Sequence, residues 1–344
     1  MPGRLPPPSD AFTLAFLEKV ERILALGRFS STYKFALLIA LANLAVEQGD
    51  DSVDALELDL DDVARHFLAL YWSMARPYPA AAAVLKQSTD SAKPSTMITL
   101  LRDAAHDSAS SYIRLRVHVS ARDRLVRSTR STLAKDVLYR LQNLASGPDR
   151  ERSDDRFLYD HPPTASECGK LRSIVLKPGV AACLRRLHGV IVAMVQARWA
   201  RWVREHNPSL GRDRTLENFL FGADRRSVSQ HAARLYELQG GRCFYTNARL
   251  LRPNAAEVDH FIPWSRYPWD SPFNLVLASQ EANGRKSDRL ASLEDRDRWL
   301  VRNDESFEVL TSPAPQGLGG LPADRAIART VAEWIYRRHA REIA

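Results

Sequence analysis

The sequence predicts a mainly α chain with one small α+β module toward its C-terminal end. Three observations predict it. Up to about residue 206, apolar residues recur at helical spacing or in long runs between capping residues. From Leu216 the texture changes, and two short apolar runs of strand length lead into a polar helical stretch. The charge is also uneven: residues 1–100 hold nine Lys/Arg against twelve Asp/Glu, a sum of −3, so the rest of this +8 chain of 344 residues sums to +11. A basic back half suits a polyanionic partner.

Ser9-Asp10 caps a helix over 11–26, with Leu14, Leu17, Ile23 and Leu24 on one side and Gly27 at its end. Ser30-Ser31 precedes a helix over 32–47 that is apolar nearly all round, the mark of a buried helix. Leu60-Asp61-Asp62 leads a third, reaching about Met74 before Pro77 and Pro79. The stretch 112–119 alternates like a strand, and 131–144 reads as a helix. A charged loop over 147–155 and a short strand over 171–176 follow. One long helix is expected from Val180 to about His206, closed by Asn207-Pro208. Trp199, Trp202, Arg198, Arg201 and Arg204 on that helix read better as a half-buried amphipathic face than as a nucleic-acid surface. A further helix is expected over 227–238, a Gly- and Pro-rich linker over 313–322 and a basic helix over 323–343. The expected domains are 1–206, mostly helical; 207–300, the α+β module; and 301–344, linker and terminal helix.

Cys168, Cys183 and Cys243 are too few and too odd in number for a disulfide framework. The first residues lack the apolar run of a secretory signal, and no apolar stretch is long enough to span a bilayer. A cytoplasmic protein without a membrane partner is expected. No phosphate-cradling Gly-rich loop with Lys-Ser/Thr occurs, so ATP use is not expected.

The densest information lies in Val258-Asp259-His260-Phe261-Ile262-Pro263-Trp264, then Asn274-Leu275-Val276-Leu277, then Asn283-Gly284-Arg285-Lys286-Ser287-Asp288. Cleaving a phosphodiester requires deprotonating a water near neutral pH and neutralising charge on phosphate and leaving oxygens. A hard divalent cation on few protein oxygens meets the second need. Asp259 offers a carboxylate and Asn283 an amide oxygen for Mg2+ or Mn2+. His260 is the natural general base. Asn274, at the mouth of the second strand, would hold the first loop and so fix the imidazole. Lys286 would reach a phosphate, with Arg266, Arg285 and Arg289 adding backbone contacts. Asp259 and His260 are neighbours on one strand and should face opposite ways. A local irregularity before Pro263 is needed to bring them to one site.

At these residues, over about 239–290, the chain resembles the HNH endonuclease family, also called the ββα-metal nucleases. Gly240-Gly241-Arg242-Cys243-Phe244-Tyr245 is similar to the family's usual lead-in. The resemblance implies a general base at His260, metal ligands at Asp259 and Asn283, and a loop-supporting role for Asn274. This His-Asn-Asn version is similar to the target-strand nuclease domain of RNA-guided DNA-cutting enzymes. Many members hold a structural zinc on four cysteines. The matching positions here are Cys243, Thr246, Ser279 and Ala282, so no structural zinc is expected. Packing by Phe244, Tyr245, Phe261, Ile262, Trp264, Leu275 and Leu277 would replace it, with Cys243 as a small buried apolar residue. The function so implied is metal-dependent endonucleolytic cleavage of DNA, in restriction or phage defence. An RNase or structure-specific nickase with the same site, or a catalytically silent DNA-binding or interaction subunit, are the alternatives. A partner subunit or homo-oligomer stays open.

Overall fold

A computed structural model describes residues 5–79, 83–89, 96–107, 119–145, 152–154, 156–210, 213, 215–222, 228–312 and 324–340. The chain divides into two compact units, with the main boundary between Phe221 and Gly222. The boundary expected at 206 therefore moves, because a short helix over 216–221 packs on the helix before it.

In the first unit, α1 (Asp10–Leu26) starts where the Ser9 hydroxyl accepts the Phe12 N–H at 3.2 Å and stops where the Gly27 N–H returns to the Ile23 carbonyl. Helix α2 (Tyr33–Gln48) is buried at every position from Lys34 to Glu47. Strand β1 (Leu56–Asp59) leads into α3 (Leu60–Tyr71), whose cap is the Asp59 carboxylate. Helices α4 (Thr96–Asp107) and α5 (Val119–Thr132) follow, and α5 continues through a π-helical segment, Leu133–Leu138, to Leu141. Strands β2 (Asn143–Ala145) and β3 (Arg152–Asp154) pair antiparallel. Strand β4 (Ser173–Leu176) pairs with β1, Leu56 opposite Leu176. Helices α6 (Val180–Arg186), α7 (His188–His206) and α8 (Leu216–Phe221) complete the unit. Helix α2 is enclosed by α3, α6 and α7, so its all-round apolar surface is its reason for burial.

Three expectations change. The helix expected at 131 begins at Val119, and Arg152–Asp154 is strand rather than loop. The alternating residues 112–118 and the linker 313–322 lie outside the described residues. The single helix expected over 180–206 is two, bent by 79°. Leu187 at the break leaves the helical region, with φ −102° and ψ 9°. Both sides of the break are pinned near α2: Arg185 binds Asp51 and the Val46 carbonyl, and His188 Nε2 meets Asn43 Oδ1 at 2.8 Å. Trp199 and Trp202 are buried on α7, while Arg201 and Arg204 pair with Glu205 and Glu217. That is an amphipathic helix face. No single helix among the described residues is long and apolar enough to cross a membrane.

Lys34, in the first turn of α2, is 8% exposed. Burial, with the Arg140 charge adding, lowers its pKa to about 8. The folded state thus binds its proton less tightly than the unfolded chain does. Stability is expected to rise as pH goes from about 8 to 10.5, by up to about 3 kcal/mol. Urea unfolding across that range should show the rise in the wild type and lose it in Lys34→Met. The variant should also be the more stable at pH 7, less what the Phe29 ring contact at 5.6 Å contributes.

The second unit runs through α9 (Ala232–Leu238), β5 (Ala256–His260), β6 (Leu275–Ser279), α10 (Gln280–Lys286), α11 (Leu293–Glu305), α12 (Phe307–Thr311) and α13 (Arg325–Arg338). Helix α9 is shorter than expected, because a turn occupies the residues just before Ala232. Helices α11 and α13 pack together, so the terminal helix belongs to this unit rather than to a separate region. Trp299 of α11 is fully buried, stacks on Phe261 at 4.7 Å and donates to the Phe273 carbonyl at 2.7 Å.

Candidate active site

The site is built on β5, β6 and α10. The strands pair antiparallel with Asp259 opposite Val276 and His260 opposite Leu275. All of Leu275, Val276, Leu277 and Ala278 are fully buried, which makes β6 the inner strand. The Ser279 hydroxyl accepts the Ala282 N–H and starts α10 directly after β6. Asn283 and Lys286 are then one turn apart on the same helix.

Upstream of β5 the chain makes a tight turn at Gly240 and Gly241, both with positive φ, 59° and 69°. A Cβ on Gly241 would lie 2.9 Å from the Tyr236 hydroxyl, so the turn requires glycine. The Gln239 side chain then clamps Leu277 of β6, giving to its carbonyl and accepting its N–H, both at 2.8 Å. The following segment runs against β6, with the Phe244 N–H on the Leu277 carbonyl. Cys243 Sγ accepts the Ser279 N–H at 3.3 Å, and Phe244 packs edge-on against Phe261. Hydrogen bonds and ring contacts thus join this segment to β6 and to Phe261 after β5.

This placement delivers Tyr245 to the site. Its hydroxyl donates to Asp259 Oδ2 at 2.6 Å. Burial, then the neighbouring Asp259 charge, push the phenol pKa well above its usual value, so Tyr245 stays a donor. Lys286 Nζ lies 2.9 Å from the same Oδ2 and donates to the His260 carbonyl at 2.9 Å. Its side chain is only 6% exposed. Lys286 was expected to reach a phosphate; here its ammonium is drawn inward by a part-buried carboxylate and a backbone oxygen. Asn283 Nδ2 donates to Glu257 Oε2 at 2.6 Å. Glu257 is two residues before Asp259 and so on the same face of β5.

His260 has a different set of partners. Its Nε2 lies 2.7 Å from Asp270 Oδ1, and its ring lies 5.3 Å from that of Trp264. The chain bends just after His260, at Phe261 and Ile262, ahead of Pro263. Lys286 links Asp259 and His260 through a side-chain contact to one and a main-chain contact to the other.

Asn274 closes the intervening loop. It is fully buried. Its Oδ1 accepts the Ile262 N–H at 2.8 Å, and its Nδ2 donates to the carbonyls of Ile262 and Trp269 at 3.1 and 3.2 Å. Its own backbone carbonyl takes the Phe261 N–H at 2.7 Å. Asn274→Ala leaves the buried Ile262 N–H without its acceptor. An orphaned buried group costs about 1–3 kcal/mol, so the urea midpoint of the second unit should fall while that of the first stays put. An unchanged midpoint would mean the loop is held by other contacts.

Of the three arginines, Arg285 and Arg289 are exposed on and just after α10 and line a cleft of about 700 Å³ with Tyr245, Thr246, Ala282, Lys286, Leu290, Ala291, Ser292 and Asp295. Arg266 is half-buried and is bonded to the Asp288 carbonyl and to His339. It braces α13 and the end of α10.

A hard divalent cation fits the oxygen donors here. Both bonds to Asp259 fall on Oδ2, so Oδ1 is the oxygen left to a cation. Asn283 spends its Nδ2 on Glu257, which leaves its amide oxygen as the ligand atom. Among the described residues no group of three or more His, Cys, Asp or Glu side chains could hold a metal ion. One carboxylate and one amide oxygen would leave most of a divalent cation's coordination positions to water and substrate.

Sequence reasoning missed Asp270, Glu257, Trp299 and the role of the Tyr245 hydroxyl. Glu257 lies one strand period before Asp259, which was the signal available for it; Asp270, Trp299 and Tyr245 come from other elements, and no local spacing marks them.

A paired Asp-His strand end followed by a short helix bearing Asn is the framework of an HNH endonuclease module, and the family model described as HNH endonuclease matches residues 243–292. The larger part of the chain, residues 13–219, matches the model described as Domain of unknown function (DUF8808), and the chain belongs to that family. No curated protein and no solved structure matches it.

Proposed function

We propose that the second unit is a divalent-metal-dependent endonuclease that cuts DNA. The observation that carries the reading is a buried histidine at the end of β5, next in sequence to a carboxylate with one oxygen left over, inside the segment matched by the HNH endonuclease model. His260 takes the proton from the attacking water. Asp259 and Asn283 would hold the cation, Mg2+ or Mn2+, which would neutralise charge on the phosphate and the departing oxygen. Lys286 and Tyr245 fix the Asp259 carboxylate. Asn274 fixes the loop after His260. Arg285 and Arg289, exposed beside the cleft, hold backbone phosphates on either side.

Supercoiled plasmid should be nicked with Mg2+ or Mn2+ and left intact in EDTA. Equal cutting by wild type and His260→Ala overturns the reading. RNA cut in preference to plasmid and single-stranded DNA moves the substrate to RNA. A nuclease module joined to a larger helical unit suits restriction or phage defence. Fewer phage plaques on cells expressing the wild type, but not His260→Ala, is the outcome expected of that role.

A further inference from the structure

We infer that Asp270 is the positioning residue of the general base, holding His260 as the tautomer protonated at Nε2, so that Nδ1 is the nitrogen that takes the proton from water. This rests on the nuclease reading above and names a further residue for it. A carboxylate only accepts hydrogen bonds, so the 2.7 Å contact requires the imidazole to donate from Nε2. A neutral imidazole has one N–H, and Nδ1 is then the basic atom. The His260 side chain is 10% exposed and that of Asp270 20%, so water competes little for the contact.

Asp270 is itself held in place. Its neighbours Trp269 and Ser271 are buried. The Trp269 carbonyl accepts from the fully buried Asn274, and the Ser271 hydroxyl accepts the Phe273 N–H. A continuous path therefore runs from Asn274 through the backbone at Trp269 to Asp270 and on to the imidazole. The loop support expected of Asn274 reaches the base by this route. Asp270 faces a second buried imidazole as well. Burial lowers the His231 pKa and the Asp270 charge opposes that. In the proposed step the water proton moves to Nδ1 while the Nε2 proton stays on nitrogen, and the imidazolium so formed faces the Asp270 carboxylate.

Two measurements on the full chain test this. The first is nitrogen-15 NMR of histidine-labelled protein, with His260 assigned by its loss in His260→Ala. The wild type should show His260 protonated at Nε2, and Asp270→Asn should mix or invert the tautomers. The second is plasmid nicking, where Asp270→Asn should lower kcat by about 10–100-fold, the range typical of residues that orient a site histidine. KM for DNA should stay within about twofold, because Asp270 is proposed to orient the base rather than to bind phosphate. His260 protonated at Nδ1 in the wild type overturns the inference even if Asp270→Asn fails to fold. So does an unchanged kcat in folded Asp270→Asn. If wild type and His260→Ala cut alike, the nuclease reading falls, while the tautomer measurement still decides what Asp270 does.

Discussion

His260→Ala is expected to lower plasmid cleavage by about 10²–10⁴-fold, the usual worth of a positioned proton acceptor. The side chain is 10% exposed, and its ring contacts Trp264 and Asp270. Its loss should therefore spare folding far more than activity. Binding of the same DNA in EDTA should be unchanged within about twofold, since the proposed phosphate contacts are Arg285 and Arg289 and not the imidazole. Rates from supercoiled plasmid, with a DNA-binding titration in EDTA beside them, check both halves. A variant that loses binding in step with cleavage would make His260 a structural histidine.

Lys286→Met is expected to cost the second unit about 3–5 kcal/mol in EDTA, the range for removing one partner of a buried ion pair. The pair is 2.9 Å long with side chains 6% and 12% exposed. Without the ammonium, Asp259 keeps the Tyr245 hydroxyl as its hydrogen-bond partner but has no opposing charge beside it. A divalent cation on the carboxylate should replace the missing charge, so millimolar Mg2+ should recover part of the loss. Urea midpoints with and without Mg2+ report this directly. If the midpoint holds and KM for DNA rises instead, Lys286 is the phosphate contact that sequence reasoning expected, and the inward geometry is not its working state.

The helix ends were legible where a short polar side chain caps its own helix. Ser9 before α1 is such a case, since the partner groups are within a few residues. The buried status of α2 was legible because a helix apolar all round has no face for water. The bend at Leu187 was not. The contacts flanking it tie Arg185 and His188 to partners 134 to 145 residues away in sequence, and no helical period contains that information.

The same division runs through the site. Residue order alone determined that an Asp-His pair would lie on one strand, that Asn274 would open the next, and that Asn283 and Lys286 would share a helix. Those are statements about period and spacing, which neighbouring residues settle among themselves. Tertiary structure decided what each side chain touches. Tyr245 comes from 14 residues upstream to Asp259, Lys286 turns in from α10 rather than out to solvent, and Asp270 crosses 10 residues to the imidazole. The reason is desolvation. Once β5 and β6 are packed, each part-buried polar atom must find a partner in the folded chain instead of water, and only the three-dimensional arrangement specifies which one is near.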